Sequence, residues 1–359
     1  MENKSYKIDV IKLLLLLGVV SIHSNVLATS EVDYLPSLGS ETVLFFSSTL
    51  TRICVPAFFI ISGFLFFLNV DNFTFNTYKS KLSRRFFTLF IPYILWNLIS
   101  LFLQIIKIKY LGFPDYGLFE NGNLQWTKVF EGFYNYVDGY PFAFAFWFIR
   151  NLMIFILLSP LAYILACEKL SIGTIFIIMC CALNTTFFGF CFFVFGGIIS
   201  RYFKTQFFQL PIYLSLASGI IWVSISVINL YIQFDFLSSA ILIIESIAAL
   251  AFITFMIQFL INSKGIKIII KHLVPSTFFI YSFHQLCCTV IRNFFIDLFG
   301  LTTSIGIILS YLFSFITLVG LSYAIWATLK WIRPSLLNIL CGSRGLHSKS
   351  LSHKRVIGG

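Results

Sequence analysis

The chain has 359 residues, of which 58% are hydrophobic and 11% are charged, and its net charge is +11. Soluble globular domains carry about 25% charged residues, so this composition excludes a protein that folds mainly in water. The positive charge is explained by membrane topology and by contact with anionic lipid headgroups, and we predict no nucleic-acid partner.

Apolar segments recur along the whole chain. A helix that crosses the hydrocarbon core needs about 20 mainly apolar residues. The first such segment lacks a small-residue cleavage site, so we interpret it as a span and not as a signal peptide. We therefore predict an all-α integral membrane protein with about ten transmembrane helices, at 8–28, 42–69, 86–107, 143–166, 171–187, 188–203, 210–232, 237–262, 274–297 and 302–332.

The distribution of basic residues predicts the orientation, because Lys and Arg beside spans stay in the cytoplasm. With the N-terminus inside, cytoplasmic segments hold eighteen of the 25 Lys and Arg residues. The outer segments hold nine acidic residues and only four basic ones, namely Lys107, Lys109, Lys128 and Arg292. We predict cytoplasmic termini, one transmembrane domain at 1–335, and a basic, disordered cytoplasmic tail at 336–359.

A few strongly polar residues remain within the predicted spans or at their ends. A charge at the bilayer centre costs about 2.5 to 3.5 kcal/mol, so such residues usually face a bundle interior or an aqueous cavity. They are the candidate functional residues: Asp9, Lys12, His23, Arg52, Arg150, Glu245 and His284.

The first span carries three of these candidates. Lys12 and His23 are eleven residues apart, which places them about 20° apart around a helix and about 16 Å apart along it. Asp9 lies three residues before Lys12 and can pair with it. In one interpretation Lys12 extends to the headgroups and His23 bonds a neighbouring helix. In the other, the His23 imidazole is a general base.

The other candidates also have two interpretations each. Arg52 can pair with an acid such as Glu245, while the following Ser62-Gly63 allows close helix packing. Alternatively, Arg52, Glu245 and Arg150 line a shared outer cavity. His284, midway along the ninth span, is either a second cavity-lining imidazole or a helix-packing residue.

A basic cytoplasmic segment, 78–85, precedes the third span and contains Lys81, Arg84 and Arg85. It is either ordinary positive-inside anchoring or a cradle for a phosphate-bearing ligand, since Arg presents a bidentate fork to phosphate. The eight cysteines show no pairing pattern, and we expect free thiols. No P-loop, GxSxG or HExxH motif is present, and we predict no metal site.

Five elements in order resemble acyltransferase family 3, whose polytopic members O-acylate sugars of bacterial surface polysaccharides and related substrates. The first span has an acid, then Lys, then His after ten intervening residues, within 8–23. The others are Phe-Phe-Ile-Ile-Ser-Gly-Phe at 58–64, the basic segment leading to Ile-Pro-Tyr at 78–93, Trp-Phe-Ile-Arg at 147–150 and Ile-Tyr-Ser-Phe-His at 280–284. The resemblance covers approximately residues 6 to 330.

This resemblance implies transfer of an acyl group, most often acetyl, from cytosolic acyl-CoA to a hydroxyl of a cell-surface glycan or its lipid-linked precursor. Acyl-CoA would be a co-substrate, with no tightly bound cofactor, and the protein would lie in the cell inner (plasma) membrane among lipids. His23 would be the catalytic base or a transient acyl carrier. The supporting roles would be CoA phosphate binding by Lys81, Arg84 and Arg85 with help from Lys12, oxyanion stabilisation by Arg52 or Arg150, and orientation of the base by Glu245 or His284.

Two other classes of function remain open at this stage. An exporter of a lipid-linked sugar or polysaccharide would also need charges along a membrane passage, although paired Gly/Pro-broken spans are missing. A non-catalytic membrane scaffold would leave the shared helix face of Lys12 and His23 unexplained.

Overall fold

The computed structural model describes residues 2–28, 37–168, 172–173, 175–177, 188–203, 210–232 and 238–342. Within them, six helices are long and apolar enough to cross a membrane, or seven if the pair broken at Leu158 forms one span. This confirms an all-α, multi-pass membrane protein, while the count of ten and the orientation of the termini stay predictions. The fifth predicted span, 171–187, lies mostly outside the described residues, which include only 172–173 and 175–177 of it.

The described helices follow one another with short connections. In chain order they are α1 (Glu2–His23), α2 (Leu38–Leu44), α3 (Cys54–Phe67), α4 (Phe75–Arg85), α5 (Ile91–Leu111), α6 (Trp126–Gly132), α7 (Trp147–Leu157), α8 (Ser159–Tyr163), α9 (Phe188–Ile198), α10 (Ile212–Tyr231), α11 (Ser238–Asn262), α12 (Lys264–Leu273), α13 (Thr277–Phe299), α14 (Ser304–Ile332) and α15 (Pro334–Leu340). π-helical turns continue α2, precede α5, and follow α8 and α9, at Phe45–Thr49, Phe86–Phe90, Ile164–Glu168 and Ile199–Phe203.

The described chain divides into two compact units whose segments alternate along the sequence. The first unit contains residues 1–74, 158–277 and 288–320, and the second contains 75–157, 278–287 and 321–359. In the first unit α1 packs against α3 and α11. Its apolar residues are buried on several sides, among them Val10, Leu13 and Leu16. A helix that is apolar all round belongs in a core, so α1 is a central helix of this unit.

Two glycines bring α3 and α9 of the first unit into backbone contact. A methyl group added to Gly63 would lie 2.0 Å from the carbonyl oxygen of Phe193, and one added to Gly196 would lie 2.0 Å from that of Ile60. Such distances leave no room for any side chain, so only glycine fits at both positions. The close helix packing predicted at Ser62-Gly63 is confirmed.

The second unit contains a small folded segment between α5 and α7. It includes the hairpin of β1 (Phe119–Glu120) and β2 (Asn123–Leu124), which are antiparallel, and α6. The hydroxyl of Tyr136 donates to the Asp115 carbonyl oxygen at 3.0 Å. Burial raises the pKa of Tyr136 to about 12, so its hydroxyl keeps the proton that it donates. This hairpin is a small departure from the all-helical prediction.

The ordered chain continues past the boundary predicted at residue 335. Helix α15 packs against α5, where the indole of Trp96 donates to the Leu340 carbonyl oxygen at 3.1 Å, and Leu337 and Leu340 are buried. Residues 336–342, which the prediction placed in a disordered tail, form the end of a helix and a turn, because two buried leucines and this bond hold the segment. The remainder of the tail, 343–359, lies outside the described residues. The six described cysteines are free thiols, as predicted.

Candidate active site

His23 is the last residue of α1, and its side chain is half-buried. The final carbonyl groups of a helix have no partner within the helix. Two side chains of α13 bond to the His23 carbonyl oxygen: the Cys288 thiol at 3.0 Å and Nη1 of Arg292 at 3.3 Å. Nη1 of Arg292 also donates to the Asn25 carbonyl oxygen at 3.3 Å. A cation at this position complements the helix dipole, so α13 fixes the end of α1.

Further polar contacts order the same end of α1. The hydroxyl of Ser21 lies 2.5 Å from that of Tyr311 and donates to the Phe46 carbonyl oxygen at 3.1 Å. The Asn25 side-chain oxygen accepts a bond from the backbone N–H of Leu27 at 3.0 Å. Val26 and Leu27 pack with Ile307 and Tyr311 in an apolar cluster. His23 therefore projects from a turn that several neighbouring elements hold in place.

Arg292 contacts the turn of His23 but was not among the candidate site residues predicted from the sequence. It was predicted only as one of the basic residues of the outer segments. The available signal is its position on the ninth predicted span, two helical turns after His284.

The predicted pairing of Asp9 with Lys12 is confirmed, near the middle of α1. Their charged atoms are 3.1 Å apart, with side chains 43% and 34% exposed respectively. An exposed pair of this kind contributes about 1 kcal/mol or less. Because α1 is unbroken from Lys12 to His23, the two residues are separated by about 16 Å along the helix axis.

Arg52 forms the predicted ion pair with Glu245. Nε of Arg52 lies 3.0 Å from Oε2 of Glu245, whose side chain is fully buried. The hydroxyl of Ser226 donates to the other carboxylate oxygen at 2.8 Å. Arg52 and Ser226 together stabilise the negative charge of the buried Glu245 carboxylate, and that carboxylate balances the positive charge of Arg52. The roles proposed for Arg52 with an oxyanion and for Glu245 in orienting the base stay predictions.

Arg150 belongs to the second unit. Its Nη1 donates to the carbonyl oxygens of Tyr134 and, at 2.8 Å, of Gly139, and its guanidinium lies 4.6 Å from the centre of the Tyr134 ring. Its other donors bond the side chain of Asn151 at 3.3 Å. These contacts anchor the segment before α7 to that helix. A role for Arg150 in acyl transfer stays a prediction.

His284, also in the second unit, is fully buried. Its Nδ1 lies 3.0 Å from the carbonyl oxygen of Ile280, one turn earlier on α13. A proton on Nδ1 satisfies this carbonyl and leaves the lone pair of the neutral ring on Nε2. Its role in orienting a base stays a prediction.

The three predicted phosphate ligands lie on α4, in the second unit. Lys81, Arg84 and Arg85 have the i, i+3, i+4 spacing of one helix face. Arg84 is exposed and the other two are half-buried. The hydroxyl of Tyr78 donates to the Leu157 carbonyl oxygen at 3.2 Å, which ties α4 to α7. The face can therefore present three cations to one anionic ligand. Among the described residues, no group of three or more His, Cys, Asp or Glu residues could hold a metal ion.

Comparison with known proteins gives two matches. A family model described as an acyltransferase domain matches residues 5–327. The succinoglycan biosynthesis protein ExoH of Rhizobium meliloti (strain 1021) is 30% identical over 173 residues, which are 45% of this chain and 43% of that protein. The aligned region thus spans less than half of this curated relative. No solved structure matches the chain. Because the family model covers nearly the whole sequence, the chain belongs to acyltransferase family 3.

Proposed function

We propose that this protein is a membrane O-acyltransferase. It transfers an acyl group, in the simplest case acetyl, from cytosolic acyl-CoA to a hydroxyl of a cell-surface glycan or its lipid-linked precursor. Family membership supports the acyl transfer, and the name of the relative, a polysaccharide biosynthesis protein, supports the glycan acceptor. The observation that carries the proposal is α1, an unbroken core helix with the Lys12 cation near its middle and, at its C-terminal end, a histidine whose carbonyl oxygen is bonded by Cys288 and Arg292.

His23 is the general base in this proposal. Its neutral imidazole takes the proton of the acceptor hydroxyl as the hydroxyl oxygen attacks the thioester carbonyl carbon. The tetrahedral intermediate then collapses by cleavage of the C–S bond. The proton passes from His23 to the CoA sulfur, so the products are an O-acyl ester and free CoA. The histidine returns to its neutral form and no other reactant is needed.

The face of α4 that carries Lys81, Arg84 and Arg85 binds the phosphates of CoA. Arginine forms paired hydrogen bonds with phosphate oxygens, and lysine adds a point charge. In this proposal Lys12, near the middle of α1, is a further candidate cation on the donor side. Because phosphates are costly to move into a core roughly 30 Å thick, they stay at the cytoplasmic face and only the uncharged arm of CoA enters.

The proposal is tested by acyl analysis of surface glycans from cells that carry the intact protein, a His272→Ala protein, or neither. His272 is exposed on α12 and lies outside α1. Its substitution therefore controls for effects of introducing any substituted protein into the cells. One O-acyl ester should be present in the first two strains and absent from the third. Unchanged acylation with a changed amount of exported glycan would contradict acyl transfer and support an exporter.

A further inference from the structure

Arg52, Arg150 and Arg292 have different surroundings. Arg52 faces the carboxylate of Glu245. Arg150 uses its donors on two carbonyl oxygens and on the side chain of Asn151. Arg292 alone among them bonds the turn that holds His23. Arg292 is thus bonded directly to the turn of His23, within the same unit.

Within the described residues, no ion pair balances the charge of Arg292, and its hydrogen bonds use only part of its donor capacity. Its bonds to the carbonyl oxygens of His23 and Asn25 are long, at 3.3 Å each, and both acceptors are uncharged. Among the described residues, no carboxylate lies within ion-pair distance of it. Its Nε is buried and has no hydrogen-bond partner within the described part of the chain.

A buried N–H without a hydrogen-bond partner is unfavourable, so its presence calls for an explanation. An anion that exists only during the reaction supplies one. A guanidinium has N–H donors and no acceptor, so it can stabilise an anion by donating a hydrogen bond. Such a donor stabilises negative charge most where water is excluded.

We propose that Arg292 is a catalytic residue that stabilises the oxyanion formed during acyl transfer. This inference rests on the proposed function, in which His23 deprotonates the acceptor. As the acceptor oxygen bonds to the thioester carbon, the electron pair of the C=O bond moves onto the carbonyl oxygen, and the Nε–H of Arg292 donates to that oxygen. When the C–S bond breaks, the carbonyl re-forms and the charge leaves with the CoA sulfur.

A role limited to capping α1 makes a different prediction. Lysine also caps helix C-termini, because its ammonium can bond the last carbonyl groups. It has no group that corresponds to Nε. Arg292→Lys therefore keeps the cation beside the His23 carbonyl and removes the proposed oxyanion donor.

The test uses inside-out membrane vesicles that contain the full chain, supplied with [14C]acetyl-CoA, with initial rates measured as label in the glycan fraction. Arg292→Gln should lower kcat about 100-fold or more, the usual effect of losing an oxyanion donor. Arg292→Lys should lower kcat at least about ten-fold, while KM for acetyl-CoA stays within about three-fold in both variants because CoA phosphates bind elsewhere. Arg333→Gln, at an exposed arginine, is the matched control and should leave the rate unchanged. Cys288→Ala removes one bond to the His23 carbonyl but no cation, and should cost less than about ten-fold.

Two results would overturn this inference without affecting the proposed function. One is full activity of Arg292→Gln. The other is full activity of Arg292→Lys, which would leave Arg292 with no role beyond capping α1. Loss of the folded protein in both variants, measured by thermal unfolding, would assign Arg292 a structural role and would also overturn it. Absence of label with the unsubstituted protein would instead contradict the proposed function itself.

Discussion

Near its middle, α1 carries an ion pair between Asp9 and Lys12, whose side chains are 43% and 34% exposed. At its C-terminal end, the carbonyl oxygen of His23 accepts bonds from Cys288 and Arg292 of α13. The first arrangement involves one helix and exposed charges, and the second joins two helices far apart in sequence. The difference indicates that the position of the backbone is fixed at His23, where the chemistry is proposed. Near Lys12 only a charge is required, and its exact position is less constrained.

The Arg52–Glu245 pair lies in the same unit as His23, and we expect its role to be structural and not chemical. We expect Glu245→Ala to lower the free energy of unfolding by about 3 to 5 kcal/mol, because it leaves a partly buried arginine uncompensated. Thermal unfolding of the detergent-solubilised protein would measure the effect. Glu131→Ala is the matched control, since Glu131 pairs with Lys128 at 2.8 Å on an exposed surface. Equal losses in the two variants would contradict the structural assignment of Glu245.

The cation face of α4 should affect donor binding and not chemistry. Replacing Lys81, Arg84 and Arg85 together with Gln should raise KM for acetyl-CoA about ten-fold or more, because charge-assisted bonds to phosphate are lost. The value of kcat should change little. The matched control replaces three exposed lysines of α12, Lys264, Lys267 and Lys271, with Gln. If both triple variants raise KM equally, the effect comes from general charge and not from a phosphate site.

The smallest effect is expected at the Asp9–Lys12 pair of α1. Asp9→Asn removes one partner of an exposed pair and should change the free energy of unfolding by about 1 kcal/mol or less. Thermal unfolding would show this as a shift far smaller than that of Glu245→Ala. A shift of similar size would mean that the Asp9–Lys12 pair also depends on precise contacts.

Much of the fold follows from patterns that a single sequence contains. Runs of apolar residues predicted spans at 210–232 and 302–332, and the structure has helices at Ile212–Tyr231 and Ser304–Ile332. Helical spacing predicted the Asp9–Lys12 pair. Few charged residues fall within the spans, so Glu245 was predicted as an ion-pair partner of Arg52. These features depend on local spacing or on the cost of an isolated charge in lipid.

Contacts that depend on the rotation of one helix against another were not predictable. Arg292 binds backbone oxygens at His23 and Asn25, more than 260 residues away in sequence, and a carbonyl acceptor leaves no mark on residue type. Sequence assigns depth along a span but not the direction in which it faces. The packing of α15 against α5 was missed for the same reason, because Trp96 bonds a main-chain oxygen.

The most direct measurement compares initial rates of acyl transfer from [14C]acetyl-CoA to glycan for the unsubstituted protein, His23→Ala and His272→Ala, at equal membrane levels and with unfolding temperatures recorded. His23→Ala should fall by about 10²- to 10⁴-fold, the contribution expected of a positioned general base, while His272→Ala keeps the full rate. A folded His23→Ala protein that transfers acyl groups at the unsubstituted rate would contradict the assignment of His23 as the base.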